Sequence, residues 1–355
     1  FNAVEAEVYA MATFLLSLLF WLGLRWEQDM NSPRGDRWLL LISFIIGLSF
    51  GVHFMGLLTI PAIGMIYYFK NTPKVTVKSF LLANVVSIAI LLFIFKLLLP
   101  TTLAFFGNSE VFFVNKMGLP FNSGTLIAAL CIVLFFYYSL KYTRNQKWIN
   151  VNTAILCVLF VLVGFSSWLM IPIRANANTV INENSPADAR ALLAYYNLEQ
   201  YPETHLFYGP LFSDIYAGQD ETEPYIDDKP KYERDYKTGK YIIVNHWERA
   251  KINSSSKHRG FLPRLWSSEH AGNYMNFTGP LEFSIVPEYK SNEMLKSRVD
   301  EFREDIRDGV VTGDDYHKFF RSLSPYLVIE KPSFWSSLQC LFQYQIVYMY
   351  WRYFM

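Results

Sequence analysis

The segment WLLLISFIIGLSFGVHFMGLLTIPAIGMIYYF, residues 38–69, decides the fold of this chain. It is 32 residues long and contains no Lys, Arg, Asp or Glu. Because one membrane-spanning helix needs about 20 apolar residues, the segment is too long for one span and short for two. Glycines loosen a helix, and Gly51 and Gly56 lie near its middle. The segment therefore predicts a helical hairpin that breaks between Gly51 and Gly56.

Four further stretches have the length and apolar composition of membrane-spanning helices. They are Val8–Trp26, Phe80–Leu99, Gly124–Tyr142 and Val151–Ile173. Residues 1–173 hold only 17 of the 63 charged residues, so the first half has a lipid-embedded composition and the second half a water-exposed one. The four stretches and the two arms of the hairpin together predict about six crossings of a bilayer.

The positions of Lys and Arg predict the orientation of these helices. The cationic residues gather in three short connections, which contain Arg25, Arg34 and Arg37, then Lys70, Lys74 and Lys78, then Lys141, Arg144 and Lys147. Cytoplasmic loops of membrane proteins carry such an excess of Lys and Arg. Both ends of the hairpin are then cytoplasmic, the N-terminus is outside, and the chain from Arg174 to about Glu330 is extracytoplasmic.

The predicted fold class is mainly α. A polytopic helical membrane domain at residues 1–173, with one pair of helices forming a short hairpin, is followed by a small, loop-rich α/β extracytoplasmic segment at residues 174–333. Residues 334–355 are strongly aromatic and are expected to form an interfacial helix or the start of a further span.

Three elements are expected within the extracytoplasmic segment. Ser185–Tyr196 is predicted to be a helix with Ser185 as its N-cap, because serine accepts hydrogen bonds from the first N–H groups of a helix. Lys231–Val244 is predicted to be a β-hairpin that turns at Gly239. Asn292–Arg307 is predicted to be a charged, exposed helix.

Composition and spacing exclude several classes of function. The net charge is +1, and neither half of the chain has the basic excess of a nucleic-acid-binding protein. Cys131, Cys157 and Cys340 have no CxxC spacing, and the histidines lack metal-ligand spacing. No phosphate-binding glycine loop or catalytic serine elbow occurs in the sequence. No nucleic-acid partner, metal site or resident cofactor is therefore expected.

Glu5 and Glu7 lie at the predicted outer end of the first span. A carboxylate there can act as a general base or hold a substrate at the membrane boundary. The alternative is a solvated first turn of a helix, where acidic residues are favoured by the helix dipole. Because residues two apart lie on different faces of a helix, at most one of the two would point into a shared site.

Three basic residues are candidates for binding a phosphate at the outer boundary of the membrane. His53 lies at the predicted break of the hairpin, where an ionisable group is a functional candidate; alternatively, neighbouring carbonyl groups satisfy it. Lys96 lies near the end of its predicted span and either binds a phosphate or extends its amine to the interface. Arg174 follows the last predicted span and is either a phosphate ligand or an interfacial anchor.

Several sequence strings resemble a bacterial multi-pass membrane family of unknown function that is related to the vertebrate transmembrane protein O-mannosyltransferase. They are VEAEVYA at Val4–Ala10, GLSFGVH at Gly47–His53 with LLTIP at Leu57–Pro61, PIRANAN at Pro172–Asn178 with INENSP at Ile181–Pro186 and YGP at Tyr208–Pro210, and YQIVYMYWRYFM at Tyr344–Met355. The resemblance therefore extends over nearly the whole chain.

This resemblance implies a type-C glycosyltransferase that takes a sugar, mannose-like by analogy, from a polyprenyl-phosphate donor. The acceptor, a protein or a glycan, would be modified on the outer face of a bacterial inner membrane. Glu7 matches the acidic position of the family's first motif, with Glu5 beside it as the second candidate for catalysis. His53 matches a basic position of related mannosyltransferases, and Arg174 and Lys96 would also bind the donor phosphate.

The resemblance also implies that the chain is an interior piece of a longer enzyme. The family's principal catalytic acid lies in an outer loop before the motif at Val4–Ala10, and its aromatic motif continues after Met355. The piece alone is then expected to be inactive. Two other functions are kept as alternatives: a membrane transporter, or a non-enzymatic membrane-anchored subunit for assembly. The transporter is less favoured, because few ionisable residues lie inside the spans and the chain has no repeat.

Overall fold

The computed structural model describes residues 8–177, 179–201, 203 and 205–354. Its contacts divide the chain into two units, one formed by Phe1–Tyr201 with Tyr232–Val244 and one formed by Pro202–Lys231 with Asn245–Met355. We call them the first unit and the second unit. The described residues are mainly helical, and short strands are confined to the part after residue 207.

The first unit contains nine α-helices among its described residues. They are α1 (Val8–Asp29), α2 (Asp36–Ser49), α3 (Thr59–Asn71), α4 (Val77–Leu92), α5 (Leu99–Asn115), α6 (Ser123–Asn145), α7 (Ile149–Phe165), α8 (Met170–Asn176) and α9 (Ala189–Tyr196). A six-residue π-helical turn, Phe93–Leu98, joins α4 to α5. A 3-10 turn, Ser166–Leu169, joins α7 to α8.

Four of the described helices are long and apolar enough to cross a membrane. They are Val8–Asp29, Val77–Asn115, Ser123–Asn145 and Ile149–Asn176. The chain is thus an integral membrane protein, as its composition predicts. Helices α2 and α3 have 14 and 13 residues and are each shorter than a usual span of roughly 17–25 residues. Six crossings are therefore not confirmed.

The break in the hairpin segment lies between α2 and α3. Helix α2 ends at Ser49, a 3-10 turn covers Phe54–Leu58, and α3 begins at Thr59. We call residues 50–53 the helix break. It overlaps the segment in which the two glycines predict an interruption.

The helix that contains Lys96 is longer than expected. Val77–Asn115 forms 39 continuous helical residues, whereas the sequence predicts a span over Phe80–Leu99 only. At a rise of 1.5 Å per residue this helix is about 58 Å long, nearly twice the roughly 30 Å of a bilayer's hydrocarbon core. The end of α5 therefore extends beyond the hydrocarbon, and Lys96 lies inside the helix and not at its end.

Helices α2 and α7 approach each other closely at two glycines. A Cβ added to Gly47 would overlap the carbonyl oxygen of Val161, and one added to Gly164 would overlap the carbonyl oxygen of Phe44. Small residues allow such backbone contact, and helix association inside a bilayer depends on it because lipid supplies no hydrophobic driving force between helices. Side chains of α2 and α7 next to this contact belong to the apolar core of the first unit.

The remainder of that core follows from helical periodicity. On α1 the buried side chains recur at intervals of three or four residues, at Leu15, Leu19, Leu22 and Trp26. They pack with apolar side chains of α2, α3 and α7 in one cluster. Together these contacts place α1 against the hairpin segment.

The second unit has a separate apolar core beneath short strands and helices. Its helices are α10 (Ala271–Thr278), α11 (Glu293–Arg307), α12 (Gly313–Leu323), α13 (Phe334–Gln339) and α14 (Arg352–Phe354), the last two joined by a π-helical stretch, Cys340–Trp351. Its antiparallel strand pairs are Tyr208–Pro210 with Arg259–Phe261, Tyr225–Ile226 with Lys251–Ile252, and Phe283–Ile285 with Leu327–Ile329. Phe302 of α11 stacks on Phe319 of α12 with ring centroids 3.7 Å apart.

The structure corrects the N-cap of α9. Asp188, and not Ser185, caps this helix: its Oδ1 accepts hydrogen bonds from the backbone N–H groups of Arg190 and Ala191 at 2.8 and 2.9 Å. The helix begins at Ala189, and Ser185 has a φ of +42°, outside the conformation of an N-cap. A carboxylate at the first turn is also favoured by the helix dipole.

The other two elements expected in this region are present. The hairpin consists of β3 (Tyr232–Asp235) and β4 (Lys240–Ile243), the third and fourth strands of the chain, and Gly239 in its turn has a φ of +66°. Helix α11 begins at Glu293, and the side chain of Asn292 caps it.

Gly47→Ala is expected to destabilise the first unit, because the added methyl group would overlap the backbone of α7. Overpacking of this kind costs about 1–3 kcal/mol. The matched control is Gly23→Ala in α1, where the added Cβ would lie 3.1 Å from Cγ1 of Ile63 and its nearest neighbours are side-chain and not backbone atoms. Thermal unfolding of the detergent-solubilised protein should show a lower melting temperature for G47A than for G23A. Equal melting temperatures would contradict the close contact of α2 and α7.

Candidate functional site

The helix break is held by hydrogen bonds from two directions. The backbone N–H of His53 donates to the carbonyl oxygen of Ser49 at 2.8 Å. The indole Nε1 of Trp168 donates to the carbonyl oxygen of Phe50 at 2.9 Å. In a lipid environment, irregular backbone is tolerated only where the protein or water satisfies its polar groups. These bonds satisfy part of the backbone that the end of α2 leaves unpaired.

His53 has an extended backbone and caps the 3-10 turn that follows it. Its Nδ1 accepts a hydrogen bond from the backbone N–H of Met55 at 3.1 Å. Because Nδ1 is the acceptor, a neutral imidazole here carries its proton on Nε2, which makes Nε2 a donor. The side chain is half-buried, and its ring centroid lies 5.4 Å from that of Tyr9 on α1. His53 thus combines a structural bond with a second nitrogen suited to an anionic oxygen.

Aromatic side chains surround the helix break. Phe50 lies 5.4 Å from Phe54, 6.5 Å from Phe95 and 6.0 Å from Phe165, measured between ring centroids. Phe165 in turn lies 5.3 Å from Trp168. We call these five residues the aromatic cluster. Large rings in offset and edge-to-face contact give a rigid, apolar surround for the residues next to them.

Lys96 borders the aromatic cluster from the side of α4. It lies in the π-helical turn between α4 and α5, is exposed, and places its Nζ 4.9 Å from the ring centroid of Phe95. Phe95 also lies 5.5 Å from Phe54, the residue that follows His53. Lys96 therefore lies over the ring of Phe95, and that ring contacts Phe54, which follows His53 in the chain. Short π-helical turns of this kind are frequent at functional sites.

Arg174 is exposed in α8, six residues after Trp168 of the aromatic cluster. Among the residues that the structure describes, no recorded hydrogen bond or ion pair joins the side chain of Arg174 to His53 or Lys96. Thus the side chain of Lys96 contacts the aromatic cluster at Phe95, whereas His53 and Arg174 adjoin the cluster along the chain, and the ring of His53 lies beside Tyr9.

Glu5 and Glu7 lie outside the described residues, so their positions relative to His53 stay a prediction. The nearest described feature is Tyr9, two residues after Glu7, whose ring faces His53. The start of α1 is therefore next to the helix break. A catalytic role for Glu5 or Glu7 depends on this proximity of the start of α1 to the helix break.

The sequence reasoning missed Glu110, a fully buried acidic residue on α5. One oxygen of its carboxyl group accepts from the N–H of Asn122 at 2.5 Å, and the other accepts from the N–H and the hydroxyl of Thr125, both at 2.8 Å. These N–H groups belong to the start of α6, where a helix has unpaired donors. Glu110 thus ties α5 to the N-terminus of α6.

The hairpin of β3 and β4 completes this polar network. The hydroxyl of Tyr241 donates to Glu110 at 3.4 Å, and burial raises the pKa of Tyr241, which keeps the phenol protonated as a donor. Arg234 forms an ion pair with Asp188 at 2.9 Å and donates to Asn122 at 2.6 Å. These bonds connect the hairpin, the connection between α5 and α6, and the cap of α9.

A signal for this network was present in the sequence. Glu110 is the only acidic residue between Asp36 and Glu183, in an otherwise apolar region. An isolated carboxyl group among apolar residues needs donors, because an unpaired buried charge is costly. Three of those donors belong to Asn122 and Thr125 at the start of α6, and the fourth, Tyr241, lies in the hairpin, more than 100 residues away along the chain.

The second unit contains a serine and a histidine in contact. Nδ1 of His258 and Oγ of Ser213 are 2.8 Å apart, and both residues are buried. Burial lowers the pKa of His258, so the ring is held neutral near physiological pH. Ser213 is fully buried and no substrate could reach it, which makes the pair part of the core. Within the described residues, no three His, Cys, Asp or Glu side chains group as a metal site.

Two family matches can be compared with this geometry. Residues 1–76 match the family described as the protein O-mannosyl-transferase TMEM260 N-terminal domain, and residues 202–342 match a family of unknown function, DUF8416. No curated protein and no solved structure matches the chain. The first match supports a relation to the O-mannosyltransferase family; a bacterial origin and truncation stay predictions.

The match over residues 1–76 includes the helix break. Glu5, Glu7 and His53 therefore lie inside the region of similarity, whereas Lys96 and Arg174 lie outside it. The similarity to the transferase family thus covers α1, α2, the helix break and α3.

Glu110→Gln is expected to lower the free energy of unfolding, because an amide would place a donor against one of the N–H groups of α6. Leaving a buried donor unsatisfied costs about 1–3 kcal/mol. Glu233→Gln is the matched control, since Glu233 is exposed on β3 of the same hairpin. Thermal or denaturant unfolding should separate the two variants. If E110Q were as stable as E233Q, the network would not stabilise the first unit.

Proposed function

We propose that the protein is a membrane glycosyltransferase, or the part of one that binds the donor. It transfers a mannose-like sugar from a polyprenyl-phosphate donor to a protein or glycan acceptor on the outer face of the membrane. The match of residues 1–76 with the O-mannosyl-transferase family carries this proposal. The four candidate spans agree with a substrate that is itself anchored in lipid.

The helix break supports the proposal through its chemistry. His53 offers Nε2 as a donor, and Lys96 supplies a positive charge on the neighbouring side of the aromatic cluster. A lipid phosphate needs cationic or N–H donors at the depth where its apolar tail enters the membrane, and charge-assisted hydrogen bonds of this type are strong. We assign His53, Lys96 and Arg174 to the donor phosphate.

The proposed role of Glu7, with Glu5 as the second candidate, is to accept the proton of the acceptor hydroxyl. Transfer of a sugar forms a bond between the anomeric carbon and the acceptor oxygen and breaks the bond to the donor phosphate. The acceptor loses a proton as it attacks, and a carboxylate can take it. In the longer enzyme that the resemblance implies, a further acid before Val4 would be the principal base.

The topology that goes with this function is also a proposal. Residues 1–173 form the membrane domain with about six crossings, residues 174–333 the extracytoplasmic segment, and residues 334–355 an interfacial helix or the start of a further span. Under this assignment the helix break faces the outside, where the soluble acceptor would arrive.

His53→Ala is expected to weaken donor binding, because it removes a hydrogen bond to a charged group. Such bonds contribute about 1.5–3 kcal/mol, which corresponds to roughly 10- to 150-fold in affinity. The measurement is binding and turnover of radiolabelled polyprenyl-phosphate mannose by the full-length protein in proteoliposomes. His246→Ala, an exposed histidine of the second unit, is the control.

Two outcomes of that experiment are separable. A full-length protein that neither binds nor consumes any polyprenyl-phosphate sugar would refute the proposed function. A protein that is active but unaffected by H53A would keep the function and refute the role of His53.

Glu7→Gln is expected to lower turnover while donor affinity is retained, because general-base catalysis contributes about 100- to 10,000-fold and does not act on the phosphate. Glu233→Gln, at an exposed residue of β3, is the control, and Glu5→Gln tests the second candidate, since residues two apart on a helix face different sides and only one of the two carboxylates should matter. Initial rates at saturating donor, with donor affinity measured separately, distinguish these variants. Equal rates for E7Q and the wild type would remove Glu7 from the reaction.

A further inference from the structure

An elongated cavity of about 850 Å³ lies between α2, α3, α4 and α7 of the first unit. We call it the groove. Its volume is within the range of roughly 300–1,000 Å³ that is typical of small-molecule sites. Its inner end reaches Ile46 of α2 and Leu98 of the π-helical turn, and its other end lies at Asp36 at the start of α2, whereas the helix break follows Ser49 at the end of that helix. The 14 residues of α2 put about 20 Å between these two points.

The wall of the groove is apolar along most of its length. Its side chains include Ile42, Ile46, Ile63, Leu82, Val86 and Ile90. Of the three serines that line it, Ser43 donates to the carbonyl oxygen of Leu39 and Ser87 to that of Ala83, and Ser79 at the mouth is paired with Tyr68. The groove therefore presents hydrocarbon, and it suits an apolar chain better than a polar solute.

The groove extends over at least the depth of one leaflet. On α2 its lining runs from Asp36 to Ile46, on α7 from Asn150 to Val161, and along α4 and the π-helical turn from Ser79 to Leu98. At 1.5 Å per residue these stretches are about 15, 17 and 29 Å long, and half of a roughly 30 Å hydrocarbon core is about 15 Å. An acyl chain of a bilayer lipid that enters beside Asp36 therefore fits within the groove.

The mouth of the groove is polar and lies at the basic end of the helices. Asp36 accepts a hydrogen bond from Thr153 at 3.0 Å, and Tyr68 and Ser79 share one at 2.6 Å. The three connections at this end, residues 25–37, 70–78 and 141–150, contain nine Lys or Arg and three Asp or Glu, a net charge of +6.

Two lysines of the connection beside the groove are available to a ligand. Lys74 and Lys78 are exposed, and neither forms an ion pair within the described part of the chain. Both precede Ser79, which lines the groove, and Lys78 is its direct neighbour in the chain. Basic residues next to a membrane attract anionic headgroups.

We propose that the groove binds one acyl chain of an anionic phospholipid whose headgroup lies against Lys74 and Lys78. The apolar wall holds the chain, and the charge at the mouth selects the headgroup. This site differs from the proposed donor site at the helix break and does not depend on the protein being a transferase.

The first test compares two lipids that differ only in headgroup. The full-length protein is reconstituted in nanodiscs with equal amounts of phosphatidylglycerol and phosphatidylcholine of the same acyl chains, and the lipid retained on the protein is measured by native mass spectrometry. We expect retention of phosphatidylglycerol with a preference on the order of tenfold. The double variant K74E/K78E should lose this preference. The variant K141E/R144E, which changes the same charge on α6 outside the groove, should keep it.

The second test uses two cysteines of the chain as reporters of position. Cys157 lines the groove, whereas Cys131 is exposed on α6 and does not line it. With an apolar maleimide, phosphatidylglycerol should slow labelling of Cys157 relative to phosphatidylcholine and leave labelling of Cys131 unchanged. Peptide mass spectrometry reports both sites in one sample.

Several results would overturn the proposal. Equal retention of the two lipids, or an equal loss of preference in both charge variants, would show that the headgroup is not bound at Lys74 and Lys78. Protection of Cys157 in lipid-free detergent would show that another part of the protein or a second copy covers the groove. Protection by added polyprenyl phosphate and not by phosphatidylglycerol would assign the groove to the donor tail.

Discussion

The close backbone contact between α2 and α7 is the constraint on which the membrane part of the structure depends. Gly47 and Gly164 leave no room for a side chain between the two helices. In lipid, where apolar side chains gain little by leaving the solvent, such contact is a main source of helix association. It fixes the end of α2 beside the turn after α7, where the indole of Trp168 reaches the carbonyl oxygen of Phe50. The position of His53 follows from these contacts.

The two ends of this helix pair have different chemistry. At the end of α2 the helix is interrupted, and the polar side chain of His53 lies next to closely packed aromatic rings. At its start, exposed cations surround an apolar groove. The ring nitrogen of His53 suits a phosphate group at the end of α2. The exposed ammonium groups of Lys74 and Lys78 suit a second phosphate group near the start of α2.

The network around Glu110 stabilises the turn between α5 and α6. Helix α5 extends beyond the hydrocarbon, so the turn to α6 needs partners other than lipid. Glu110 pairs with the first N–H groups of α6, and the hairpin of β3 and β4 supplies Tyr241 and Arg234 to the same turn. A buried polar network of this kind rigidifies the structure only when all its members are bonded. The hairpin belongs to the first unit for this reason, although the second unit precedes and follows it in the chain.

The sequence by itself determined the membrane class, the apolar stretches, the break between Gly51 and Gly56 and the hairpin at Lys231–Val244, because hydropathy and turn chemistry are local properties. Its similarity to a transferase family also pointed to His53. Only the tertiary structure decided that Asp188 caps α9, that Lys96 lies within a longer helix, and that Glu110 is paired. The same holds for the groove, whose walls come from four helices. The bond from Tyr241 to Glu110 and the walls of the groove depend on residues that are distant in the chain, and no local pattern records which helices become neighbours. The cap of α9 and the length of the helix around Lys96 involve neighbouring residues, but local signals there allowed more than one boundary.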